Sequence, residues 1–253
     1  MAILIFILGI IMGSFFNVCI YRIPREESIS YPPSHCVECG NRLTAVDMVP
    51  IFSYIFLKGK CRHCGQHISL QYPLVELITG GLYVGLYMKF GMDIHLLFYS
   101  ILVSILIIAS AIDIHHTIIP SSLVIIGSIC AIIFNIIGWG RPFLDGIYGA
   151  LAGAGAIILM DLMALIFFKK QGMGGGDKKL MAMVGLFMGL EYVLLSVLFA
   201  IYIGGITFII LMLMGKIQKT EYVPFGPFLS IGTLVSLFAG APILMWYSST
   251  FLS

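Results

Sequence analysis

Charge is what this 253-residue sequence has least of. Lys, Arg, Asp and Glu make up 10% of it, while 60% is hydrophobic. That shortage of polar surface excludes an ordinary soluble domain and leaves a polytopic membrane protein as the expectation. Signatures of common hydrolytic sites are missing as well: neither a G-x-S-x-G nucleophile elbow nor an H-E-x-x-H metalloprotease helix occurs. No G-x-G-x-x-G pattern follows a strand, so nothing in the residues themselves marks a Rossmann-type cofactor site. There is no internal repeat and no low-complexity tract. The net charge of +2 says little about partners, and no nucleic-acid partner is expected.

What the sequence does hold is a series of long apolar runs. A helix that crosses the hydrocarbon core needs about 20 mostly apolar residues. Candidates fall at roughly 1–20, 74–90, 94–112, 121–139, 143–168, 192–215 and 227–248. The first run has no basic segment before it and no convincing small-residue cleavage site after it, so it reads as a retained membrane helix. Leu180 to Leu190 is apolar but short. One straight helix over 180–215 would extend about 52 Å, far more than a single crossing requires. Gly189 and Glu191 offer a break. The expected fold class is therefore an all-α polytopic membrane protein with about eight transmembrane helices in the lipid bilayer. A re-entrant 180–190 segment would make seven.

Loop charges favour eight. With the N-terminus outside, Arg22, Arg25, Arg42, Lys58, Lys60 and Arg62 lie on the cytoplasmic side. Lys169, Lys170, Lys178, Lys179, Lys216 and Lys219 join them there. Of the 14 basic residues only Lys89 and Arg141 fall outside, a strong positive-inside bias. Seven spans would send Lys216 and Lys219 outward.

One hydrophilic segment, 21–73, separates the first two spans, and four of the six cysteines lie in it. Cys36, Cys39, Cys61 and Cys64 form CxxC-x21-CxxC, each pair followed by a glycine, Gly40 or Gly65. Two tight turns presenting two thiolates each match a tetrahedral zinc site, and four sulfur ligands leave no open position, which makes the site structural. A loop of about 50 residues cannot easily build a core of its own, and a metal would supply the missing stability. Two disulfides or free thiols are the alternative; a reducing cytosol disfavours the disulfides. His35, His63 and His67 crowd the same stretch, and one of them could replace a sulfur. Cys19 and Cys130 lie within apolar runs and read as inert core thiols.

The acids carry the chemistry. Asp113, in "ASAIDIHHTIIP", sits at the cytoplasmic end of the third span. Asp177, in "QGMGGGDKKL", sits at the cytoplasmic start of the sixth. An ionisable group at the bilayer is costly and is a functional candidate by default. Two aspartates brought close cannot easily both ionise: one keeps its proton while the other acts as base. Such a dyad can activate water and protonate a leaving amine in peptide hydrolysis, with no metal and no nucleophilic Ser or Cys. Gly172, Gly174, Gly175 and Gly176 strip side chains from the approach to Asp177 and permit a sharp entry into a helix. The plainer alternative makes Asp177 a helix N-cap and Lys178 and Lys179 interface anchors. Asp161 either snorkels toward Lys169 or lines the same cavity, Glu191 marks the outer end of the short helix, and Glu76 is an interfacial charge.

Six stretches in order now resemble one family: "GSFFNVCIYRIP" at 13–24, the two CxxC pairs, "KGKCRHCGQHISLQYPLVEL" at 58–77, "DIHHTIIP" at 113–120, "GMGGGDKKL" at 172–180 and "PFGPFLSIG" at 224–232. The chain resembles the type IV prepilin leader peptidases, bifunctional membrane aspartic proteases that also N-methylate their product. The resemblance maps the catalytic pair onto Asp113 and Asp177, with Gly174, Gly175, Gly176 and Lys179 around the second aspartate. It implies prepilin and pseudopilin substrates, with a short basic leader cut after a Gly at the cytoplasmic face of a bacterial cytoplasmic membrane. It also implies zinc in the cysteine loop and methylation of the new N-terminal residue by S-adenosylmethionine. Gly13, Asn17 and Glu76 are the candidate contributors to that methyl-donor site, by resemblance only. One departure occurs: Ser121 stands where the family usually has Asp or Asn after the Pro, and it can still cap the following helix.

The expected organisation is a first helix at 1–20, a zinc loop at 21–73 forming a methyltransferase region with that helix, and a peptidase core at 74–253. The rival from another class is an ion-coupled membrane transporter using intramembrane carboxylates; it expects mid-membrane acids on repeated halves. A zinc-dependent scaffold is a second rival.

Overall fold

The computed structural model describes residues 1–168, 174–215 and 223–251. Lys169, Lys170, Gly172, Lys216 and Lys219 therefore lie outside the described residues. Among the described residues eight α-helices follow one another: α1 Ala2–Arg22, α2 Phe52–Phe56, α3 Gln71–Phe90, α4 Ile94–His116, α5 Ser121–Ile136, α6 Phe143–Phe168, α7 Gly175–Leu213 and α8 Gly226–Phe251. No strand occurs among the described residues; the sole pairings are two isolated bridges in the cysteine loop. Five helices, all but α2, α3 and α5, are long and apolar enough to cross a membrane by length and composition.

The chain divides into two compact units, Met1–Leu96 and Leu97–Ser253. In the first, α1 packs along α3. Its buried residues Gly9, Gly13, Phe16, Asn17 and Ile20 recur at helical spacing, while Ile3, Leu4, Ile7, Leu8, Ile11 and Phe15 face outward. Small residues let the two backbones touch: a Cβ on Gly9 would stand 2.7 Å from Gly80 Cα, and one on Gly13 equally close to Glu76 Cα. Close packing of this kind substitutes for the hydrophobic drive that lipid does not provide.

The loop between them is held by specific bonds. Arg22, buried at the end of α1, donates to Ser28 O at 2.8 Å and Pro32 O at 2.6 Å. Thr44 and Arg62 both donate to Asp47, whose carboxyl is held below the usual range by its bonds to Thr44 and then by Arg62. Ile51, a β-branched residue at φ 63°, donates its N–H to buried Glu76 at 2.7 Å.

In the second unit α7 packs against α5, α6 and α8. It is two helices joined at Gly189, where φ 78° and ψ −179° break the helical run as the sequence led us to expect. Both sides of the break find partners. Asn135 of α5 donates to Leu186 O at 2.8 Å, and Asp145 of α6 accepts from Leu190 N at 3.1 Å. Irregular backbone at membrane depth persists only when its polar groups are satisfied in this way. The outward face is apolar, with Ile125, Ile126, Ile129, Ile133 and Ile136 exposed along α5. The protein is an all-α, multi-pass membrane protein with a cysteine-rich loop between its first two long helices.

Candidate functional site

Asp113 lies in the last turn of α4. The helix runs one turn past the expected end at 112, to His116, and terminates at Thr117, which takes φ 54° ahead of Pro120. Asp177 lies in the first turn of α7, a helix that begins at Gly175, five residues earlier than the expected apolar start at 180, because Gly175 and Gly176 are themselves helical. Gly174 is the N-cap residue and Asp177 reaches back to it, accepting from Gly174 N at 3.2 Å. Asp177 thus sits at the third helical position, not at the N-cap.

The structure brings these two acids together. Asp113 is 4% exposed and Asp177 is 3% exposed. The charges of Asp113 and Lys178 both reach the Asp177 carboxylate. Asp113 accepts from Gly226 N, the first residue of α8, at 2.9 Å. Among the described residues each aspartate has a backbone donor: Gly174 for Asp177 and Gly226 for Asp113. Two of the glycines here have a steric reason. A Cβ on Gly226 would stand 2.7 Å from Asp113 Oδ2, and one on Gly176 would stand 2.8 Å from Ile119 Cβ. A Cβ on Gly175 would meet nothing within 4 Å; that position faces open space.

The surrounding cations are engaged. Lys178 Nζ donates to Asp161 Oδ2 at 2.7 Å, and Lys179 Nζ donates to Ser121 Oγ at 2.9 Å. The Ser121 expectation needs correction: Pro120 is the N-cap of α5 and Ser121 its first helical residue, with no side-chain cap bond. Its hydroxyl serves Lys179 instead. Glu191 is exposed just after the Gly189 break, distant in sequence from the pair.

The cysteine loop forms two near-identical turns. Cys36 N bonds Asn41 O at 2.9 Å and Gly40 N bonds Cys36 O at 2.9 Å; Cys61 N bonds Gln66 O at 2.8 Å and Gly65 N bonds Cys61 O at 3.0 Å. Gly40 at φ 69° and Gly65 at φ 72° fold the chain under the sulfurs, a conformation that favours glycine. The Sγ atoms of Cys36, Cys39, Cys61 and Cys64 all lie within 4.8 Å of one another. Sulfurs held tetrahedrally at about 2.3 Å from a metal would be about 3.8 Å apart, and Cys36 and Cys64 Sγ are 3.9 Å apart. None is disulfide-bonded. The Cys64 and His63 backbone N–H groups pull the Cys61 thiol down to about 6. Cys64 has help from Gln66 N–H, yet burial and the crowding of Cys61, Cys39 and Cys36 push it up to about 11. Four sulfurs this close cannot all carry charge without a cation, so the set fits a divalent metal ion. No histidine belongs to the cluster, and the His35 ring contacts Pro33 O at 3.0 Å.

Gly13, Asn17 and Glu76 also come together, where α1 crosses α3. Asn17 Nδ2 donates to Gly13 O at 3.2 Å and to Tyr72 O at 3.1 Å, which fixes the amide orientation and leaves Oδ1 buried with no partner. That orphaned acceptor, near a buried carboxyl, is the feature of this region that fits a ligand with hydrogen-bond donors. Gly13 itself is explained by helix packing.

Sequence reasoning missed the Gly226 N–H, the Lys178–Asp161 pair, and the Asp145 and Asn135 bonds at the break. Gly226 opens the last helix after a loop, which was a usable signal. The other contacts join helices far apart in sequence and had none.

Comparison with known proteins shows the family to which the chain is similar. Residues 7–90 match the family described as Bacterial Peptidase A24 N-terminal domain, and residues 100–209 match the Type IV leader peptidase family. The chain is 34% identical over 244 residues to a prepilin leader peptidase/N-methyltransferase of Bacillus subtilis (strain 168), covering 96% of each. A protein of the same description from Myxococcus xanthus (strain DK1622) is 36% identical over 84% of this chain and 63% of its own. One from Aeromonas salmonicida (strain A449) is 31% identical over 98% of this chain and 94% of its own. No solved structure matches. A family of peptidases sets the transporter and scaffold readings aside.

Proposed function

The chain belongs to the type IV leader peptidase family, and on that premise we propose that it cleaves the leader of prepilins and pseudopilins and then N-methylates the new N-terminus. The observation that carries this reading is the meeting of Asp113 and Asp177, both buried and close enough for the charge of one to reach the other, from two helices distant in sequence. The pair shares one proton. The ionised carboxylate takes a proton from water as its oxygen attacks the scissile carbonyl carbon. The protonated carboxyl hydrogen-bonds the carbonyl oxygen. As the C–N bond breaks, the leaving nitrogen takes a proton from the dyad. Gly174 N–H and Gly226 N–H hold one oxygen of each carboxylate and aim the other pair at the substrate. Gly175 leaves room for an extended substrate backbone.

We place the dyad and the cysteine loop at the cytoplasmic face, on the distribution of Lys and Arg. A basic leader would remain on that side, and its hydrophobic continuation would enter the bilayer. We assign peptidase chemistry to 74–253, and to the first helix with the loop 21–73 a part in methyl transfer. Cys36, Cys39, Cys61 and Cys64 would hold zinc in a structural role. S-adenosylmethionine supplies the methyl group when bound, and Asn17, Glu76 and the Gly13 backbone are the residues that would hold it.

Incubating the purified full-length protein with a prepilin peptide and reading the products by mass spectrometry tests both activities. The expected result is leader loss without S-adenosylmethionine, and leader loss with one added methyl group when it is present. An uncut peptide under both conditions would refute the reading.

A further inference from the structure

One charge pair beside the dyad has no part in the chemistry above. Asp161 lies two turns before the end of α6, and Lys178 follows Asp177 directly. Their side chains meet at 2.7 Å and are 17% and 30% exposed. A lysine at a membrane border ordinarily extends toward water. This one turns to a carboxylate on the neighbouring helix. A partly desolvated ion pair is a weak source of stability, so stability is a poor reason for its presence. Its position offers a better one. The Lys178 charge reaches Asp177, and an uncompensated ammonium there would favour the doubly ionised dyad, in which no proton is shared.

Resting on the dyad reading, we propose that Asp161 is a positioning residue that neutralises Lys178 beside Asp177 and so sets the pH window in which Asp113 and Asp177 hold a single proton. The other charged or basic groups near the dyad, among the described residues, are few. Lys179 on α7 is directed to Ser121 Oγ on α5. His115 and His116 at the end of α4 are exposed. The described residues of α5, α8 and 223–225 contain no Asp, Glu, His, Lys or Arg. The Asp161–Lys178 pair is thus the main local charge that a single substitution can unbalance.

The test is the pH–rate profile of leader cleavage by full-length protein in lipid nanodiscs. Asp161→Asn leaves one added positive charge, so both limbs should move to lower pH by roughly 0.5–1 unit. Lys178→Gln leaves one added negative charge, and both limbs should move up by a similar amount. The double variant removes a neutral pair, and its profile should return to within about 0.2 unit of the parent. Asp161→Glu keeps the charge and should keep the profile. A purely structural pair would change the height of the curves and not their position, and superimposed midpoints would overturn the proposal. Asp113→Asn and Asp177→Asn run alongside: if either cleaves at near parental rate, the dyad reading fails. If both are inactive while Asp161→Asn and Lys178→Gln fail to shift in opposite directions, the present inference alone fails.

Discussion

Gly226 shows how much a single residue can govern here. Its N–H holds Asp113 at 2.9 Å, and the site of a missing Cβ is 2.7 Å from the same carboxylate oxygen. Gly226→Ala should displace the aspartate by a fraction of an ångström and lower kcat for leader cleavage by about 10- to 100-fold. Its melting temperature should stay close to the parent's, and parental kcat would show that the contact does not matter. At this scale the sequence was informative about identity and poor about partnership. Asp113 and Asp177 stood out because an acid at a membrane border needs a reason. The bond from Lys179 Nζ to Ser121 Oγ, or from Ile51 N to Glu76, depends on which segments lie side by side, which no local pattern records.

At the scale of elements, most helices were legible because long apolar runs leave few alternatives. Their ends were less so: α4 continues to His116 and α7 begins at Gly175, since polar or glycine residues join a helix once their backbone bonds are made there. The break at Gly189 was foreseeable from the excess length of 180–215. Its locking by Asn135 and Asp145 was not. Gly189→Ala would force an L-residue to φ 78° against Asp145 and should cost about 1–3 kcal/mol, read as a fall in melting temperature. Asp145→Ala, which leaves Leu190 N–H without its carboxylate, should cost about 1–3 kcal/mol. An unchanged melting temperature in both would mean that the break needs no lock. The cysteine turns were the most legible element of all, because the CxxC-Gly spacing dictates both the left-handed glycine and the convergence of sulfurs.

Across the whole molecule, two activities are assigned to different stretches of chain, and they should separate. Removing the metal with a chelator, or replacing Cys36 and Cys61 by Ser, should lower thermal stability and methylation while leader cleavage retains most of its rate. Equal and total loss of cleavage in a well-folded metal-free protein would contradict that division. The most direct measurement concerns the acids: the rate of leader cleavage by Asp113→Asn and Asp177→Asn in nanodiscs, with prepilin-peptide binding followed in parallel. The account expects both variants to bind the peptide and to lose at least about 1,000-fold in rate. Near-parental cleavage by either one would contradict it.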